Sequence, residues 1–319
     1  MNRFLALAAK IAISAALLYF AFSRVEDVAS IAGRLQQAKI SWLVALVLSL
    51  AAQLVLVALR WRQIGQQCAA PFSVAKALRY VLIASFFNQT LPSIIGGDAA
   101  RIWFISRAGA GWKAAAYSVI VDRIIGLGVL VAIVVVCLPW LFELVLDPLG
   151  RASVLLVDSA GVVATIAFLI LGQAHWRWLE YWWITRHIAG AAAVALYVLS
   201  NWHSAARIVG LSILIHLLTI AAVLCAARAV AAPLEFGQAL LLVPPVILVA
   251  TIPISIAGWG LREGAMMTVF AYAGLLRADG LIVSILFGAS LFAVGAVGGA
   301  IWILGSEPWI GTADEARKT

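Results

Sequence analysis

Residues 88–107 read NQTLPSIIGGDAARIWFISR. Inside an otherwise apolar chain this stretch gathers a proline, a glycine pair and, before the Arg107 at its end, two charges, Asp98 and Arg101, where a plain membrane-crossing helix carries none. A matching stretch, TIPISIAGWGLRE, occupies 251–263. Placing Pro92 on Pro253 matches a Thr-x-Pro start, a serine one or two residues later at Ser93 or Ser255, a glycine-rich turn at Gly96 and Gly97 or Gly258 and Gly260, and Arg101 with Arg262. The offset is 161 residues in a chain of 319, so the same unusual element occurs once per half and predicts an internal duplication. In lipid, Pro and Gly interruptions at corresponding places of two halves point to a transporter's binding site.

The surroundings decide the class. With 65% hydrophobic residues, 11% charged and a mean hydropathy of +1.07, the chain is far from a soluble composition. It reads as an all-α, polytopic integral membrane protein, a single transmembrane domain over 1–319. Apolar runs long enough to cross about 30 Å of hydrocarbon lie near 4–23, 40–59, 114–138, 152–172, 208–231 and 280–304. The first is an anchor rather than a signal peptide, because its apolar region is long and FAFSR offers no small-residue cleavage site. The net charge of +8 comes from residues flanking the spans, with no arginine-rich cluster, so lipid phosphate rather than nucleic acid is the expected contact. Cys68, Cys137 and Cys225 form no CxxC pair and read as packing residues.

The interrupted stretches are too short to cross twice. Residues 80–91 make about 18 Å of helix and 98–107 about 15 Å. A re-entrant hairpin broken at 92–97 puts Arg60, Arg62, Lys76, Arg79, Arg107 and Lys113 on one side, which the positive-inside rule makes cytoplasmic. The alternative, a full crossing, leaves the loop 139–150, with no Lys or Arg, on the cytoplasmic side. Arg60-Trp61-Arg62 reads as an interface anchor closing the second span. The segment 175–187, HWRWLEYWWITRH, reads as an aromatic belt, with 188–203 as a surface or partly inserted helix. Three spans and a hairpin per half, 1–150 and 151–319, make the halves run in opposite senses. The repeat is then inverted, with hairpin tips meeting near the midplane and the N-terminus cytoplasmic.

Charges within hydrocarbon need partners, since each costs at least ~2.5 kcal/mol on insertion scales. Asp98, Arg101, Asp122, Arg123, Arg262 and Glu263 therefore read either as ion pairs holding the hairpins together or as a ligand site built on those pairs. The site reading rests on the glycines. Helices starting after Gly96-Gly97 and Gly258-x-Gly260 aim positive dipole ends at the midplane, where a phosphate would be held, and Asn88, Gln89, Ser93 and Ser255 add uncharged hydrogen-bonding groups. No metal-ligand cluster or nucleotide loop occurs, so neither a metal nor a cofactor is expected. His216 reads as a packing histidine, Gly295-x-x-x-Gly299 as a helix-packing face within the chain or between protomers, and Pro244-Pro245 as a kink in hairpin two.

The pattern LPSxxGGDxxR, here Leu91 to Arg101, followed by Asp122-Arg123 and then PxSxxGxGxRE, here Pro253 to Glu263, resembles the transmembrane region of lysylphosphatidylglycerol synthases and the stand-alone flippase-like proteins that consist of it. The resemblance implies handling of polar lipids in the bacterial inner membrane, without the aminoacyl-transferase domain of the two-domain synthases. The leading expectation is a non-enzymatic lipid flippase-like transporter for an anionic or phosphate-bearing headgroup. An intramembrane lipid-modifying transferase and a non-transporting partner of a lipid-biosynthesis enzyme stand beside it, and a homo-oligomer is left open.

Overall fold

The computed structural model describes residues 12, 14–16, 18–19, 23, 33–91, 95–173 and 182–305. Among them are ten helices of eleven or more residues and no strand. In order they are α1 Ile40–Gln67, α2 Val74–Thr90, α3 Ile95–Ile105, α4 Trp112–Leu144, α5 Pro148–Gln173, α6 Trp183–Ser200, α7 Trp202–Ala229, α8 Phe236–Ala250, α9 Leu261–Tyr272 and α10 Arg277–Leu304. Six of these, α1, α4, α5, α6, α7 and α10, are long and apolar enough to cross a membrane. The chain is a multi-pass, all-helical membrane protein.

The remaining four helices form two hairpins, α2 with α3 and α8 with α9, from helices of 17, 11, 15 and 12 residues. Local sequence sets their ends. The Ser73 side chain accepts the Lys76 N–H at 3.3 Å and starts α2. A pair of left-handed glycines, Gly258 and Gly260 (φ 79° and 85°), carries the chain into α9, where Glu263 Oε2 accepts the Gly260 N–H at 2.6 Å. Gly97 lets the arms of the first hairpin close, because a Cβ there would lie 2.3 Å from the Ala84 carbonyl oxygen.

Several expectations change. Most of the span at 4–23, the tip residues 92–94 with Ser93, and most of the belt at 175–187 lie outside the described residues. The span expected to stop at Arg60 continues to Gln67, and Arg60 and Trp61 are buried inside the protein instead of anchoring an interface. Nothing in RQIGQQ breaks a helix, and Arg60 finds a buried counterion. The surface helix expected over 188–203 is instead the span-length α6, whose Ala191, Ala192 and Ala195 are fully buried; a Cβ on Gly172 of α5 would lie 2.6 Å from the Ala192 backbone. Small residues allow this approach. The junction between α4 and α5 falls at 145–147, so the 150/151 division expected from sequence lies inside α5.

The packing comes in matched sets. At the centre α1 and α7 run antiparallel: Lys39 N–H donates to Ala229 at 2.9 Å, Gln53 Nε2 to Thr219 Oγ1 at 2.7 Å, Arg60 Nη1 to Ser212 Oγ at 2.9 Å, and Gln67 to Ser204. Hairpin one lays α2 against α10, and hairpin two lays α8 against α4. The first of these contacts is the tighter. A Cβ on Gly298 would lie 1.8 Å from the Leu82 carbonyl oxygen, so the glycine face of α10 is spent within the chain.

The core is hydrophobic, but charges are buried in it and the outer surface is apolar. Arg60, Arg101, Asp122 and Glu263 are at most 6% exposed, whereas Val136, Leu156, Ile303 and Leu304 are 66–85% exposed. Such a surface is stable against hydrocarbon, and these four charged groups inside pair with one another or with a neighbouring charge. Cys68, just past α1, is buried, which pushes its thiol up to about 12 and keeps it protonated and inert.

Candidate functional site

Where hairpin one meets α1, α4 and α7, the charges form a chain of ion pairs. Asp122 on α4 accepts Arg60 Nε at 2.8 Å with one oxygen and Arg101 Nη2 at 2.9 Å with the other. Asp98, at the start of α3, accepts Arg123 Nε at 2.6 Å and lies 3.5 Å from Arg101 Nη1. Adjacent Asp122 and Arg123 thus reach different partners. The guanidinium of Arg101 stacks 4.1 Å over the Trp61 ring, and Gly126 gives Arg60 room, since a Cβ there would lie 2.9 Å from its Nη1.

These groups border a cavity of about 330 Å³. Three arginines and two aspartates leave one formal positive charge in its wall. Arg123 presents that charge, with a side chain 38% exposed against 6–8% for Arg101 and Arg60. Arg101 Nε and Gln89 Oε1 are buried without a hydrogen-bond partner. Asn88, Ser85, Gln53 and His216 add polar atoms, although Asn88 Oδ1 is taken by the Gly97 N–H at 3.1 Å and His216 Nε2 meets the Gly126 carbonyl at 3.0 Å. The rest of the lining includes hydrocarbon from Leu50, Leu54, Val57, Leu127, Leu291 and Val294. From hairpin two, Ile247 and Thr251 reach the same cavity.

The second set of expected site residues is not brought there. Arg262 donates to Glu263 Oε1 at 2.7 Å and to Ser284 Oγ at 3.1 Å, and Ser284 donates to Glu263 Oε1 at 2.9 Å. All three are at most 3% exposed, with Gly288 making space for the guanidinium. The cluster is neutral and closed. Arg262 packs on Ser284 of α10 as Arg101 packs on Asp122 of α4, but here the carboxylate comes from the hairpin itself. Gly258 and Gly260 serve the turn, and the buried Ser255 hydroxyl has no partner. Gly96 and Gly97 lie inside the first turn of α3 rather than before it, and one N–H at each hairpin's returning helix is already bonded by a side chain. Donors at the cavity therefore come chiefly from arginines.

Sequence reasoning missed Arg60, Gln53 and Thr251 as cavity residues, whereas Gln89, expected as a hydrogen-bonding group, lines the cavity. The signal for Arg60 was the need of Asp122 for a partner outside its own helix.

Among known proteins, the family model described as the lysylphosphatidylglycerol synthase TM region matches residues 7–299. Neither a curated protein nor a solved structure is similar enough to the chain to match it. The match covers nearly every helix described above, and the chain belongs to the family of the lysylphosphatidylglycerol synthase transmembrane region, a membrane family linked to lipid metabolism or transport.

Proposed function

We propose that this chain is a lipid transporter that binds the single negative charge of a phosphate-bearing headgroup in the polar cavity and lets it cross while the acyl chains stay in lipid. The observation that carries the reading is the one surplus positive charge of the cavity lining, with Arg123 its most exposed arginine, beside hydrocarbon residues of the same lining. A phosphodiester neutralises that charge, and a charge-assisted hydrogen bond to it is worth about 1.5–3 kcal/mol. Asp98 and Asp122 are occupied as ion-pair acceptors, which favours transport over catalysis by either as a base. In this reading the hairpins enter from opposite faces, the two halves are an inverted duplication, and the chain sits in a bacterial inner membrane with its N-terminus cytoplasmic.

The test is reconstitution into phosphatidylcholine vesicles containing fluorescent phosphatidylglycerol, with chemical quenching of the outer leaflet. Faster loss of inner-leaflet fluorescence than in empty vesicles is expected. No acceleration refutes transport, and a new covalent lipid product by mass spectrometry favours a transferase.

A further inference from the structure

A second cavity, of about 160 Å³, lies between α4, α5 and hairpin two. Its wall is hydrocarbon, including Val134, Leu141, Val157, Val246 and Val249. Into it α5 brings one carboxyl, Asp158, which is 3% exposed and whose Oδ1 has no hydrogen-bond partner. The other three buried acidic residues among those described, Asp122, Glu263 and Asp279, are each paired with an arginine. A lone carboxylate in hydrocarbon is costly, and such a group takes up a proton instead.

We propose that Asp158 is a proton-binding site that couples a transmembrane proton gradient to headgroup movement in the neighbouring polar cavity, an inference that rests on the transport reading above. Helix α8 is the shared wall. Pro245, Val246 and Val249 face the Asp158 cavity, while Ile247 and the following Thr251 face the polar one. A displacement of α8 that lets water reach Asp158 therefore changes the headgroup cavity as well. Pro244 and Pro245 remove two N–H donors from α8, and left-handed Ala257, Gly258 and Gly260 join it to α9, so hairpin two is built to bend. In each cycle one proton enters from water on one face and leaves to water on the other, and no lipid bond is made or broken.

The neighbouring groups leave this role to Asp158. Tyr272 on α9 is the other titratable residue lining the cavity among those described, and α8 contributes none. On α4, Glu143 lies beyond the lining, and at the α4–α5 junction, also beyond it, Asp147 accepts the Gly150 N–H at 2.6 Å and bonds Tyr272 while Arg151 donates to the carbonyls of Phe142 and Val145. Helix α6 carries Arg186, His187 and Tyr197, none of which lines the cavity.

The experiment imposes a one-unit pH difference across phosphatidylcholine vesicles carrying fluorescent phosphatidylglycerol. For a one-proton step, that gradient biases movement by up to about tenfold. The wild type should respond to the gradient, and Asp158→Asn should keep gradient-independent movement while losing the response. Asp158→Leu, compared by thermal melting, should fold, because the cavity wall is apolar. A retained response in Asp158→Asn, or a wild type that moves lipid indifferently to the gradient, overturns the proposal and leaves transport standing. Should the wild type move no lipid, transport falls instead. The proton site then rests on the infrared carbonyl band of a protonated carboxyl, whose absence from wild type or persistence in Asp158→Asn overturns it.

Discussion

Asp122→Asn is the sharpest perturbation of the ion-pair chain. Its carboxylate is the shared acceptor for Arg60 and Arg101, side chains only 8% and 6% exposed. Without it Arg60 keeps Ser212, and Arg101 keeps a 3.5 Å approach to Asp98. Removing one partner of a buried pair costs about 3–5 kcal/mol, because the stranded cation stays desolvated. At ~2–4 °C per kcal/mol, melting should fall by roughly 6–20 °C. Tryptophan fluorescence of the detergent-solubilised protein reads this directly, since Trp61 lies under the Arg101 guanidinium. Adding Arg60→Met to Asp122→Asn should recover at least about half the loss, because an apolar side chain replaces the stranded charge. A single mutant melting within ~2 °C of wild type, or a double mutant less stable than the single, refutes the account of this network.

Gly298→Ala should cost about 1–3 kcal/mol or more by forcing α10 from α2, whereas Gly264→Ala, with nothing within 4 Å of its Cβ, should be neutral or stabilising; equal melting of the two variants contradicts the packing. Lys113→Cys and Glu143→Cys, near opposite ends of α4, should label from opposite faces of sealed vesicles, with Lys113→Cys labelled from the cytoplasmic face. Labelling of both from one face refutes α4 as a crossing.

Both hairpins were legible because Pro, Gly and charge stand out against hydrocarbon, and the long apolar runs gave five of the described spans. What was not legible depended on tertiary partners. Arg60-Trp61-Arg62 has the composition of an interface, and only its distances to Asp122 and Ser212 show that Arg60 lies inside. Helix α6 looks peripheral because Arg186 and His187 stand at its start, yet its alanines pack at the core. The two matched motifs implied two equivalent site halves, but Glu263 closes the second around Arg262, whereas the first leaves Arg123 partly open. Asp158 carried a visible signal, a lone carboxylate in an apolar run, that drew no weight without the cavity beside it.

The central claim, that the surplus charge at Arg123 holds a lipid phosphate, is tested most directly by phosphatidylglycerol binding to Arg123→Gln. Asp98, 15% exposed, keeps the 3.5 Å approach of Arg101 when Arg123 is lost, so the variant should fold and melt closer to wild type than Asp122→Asn does. Affinity should fall roughly 10- to 150-fold, measured by titration of fluorescent phosphatidylglycerol into the detergent-solubilised protein. Unchanged affinity in a variant that melts like wild type would contradict the claim.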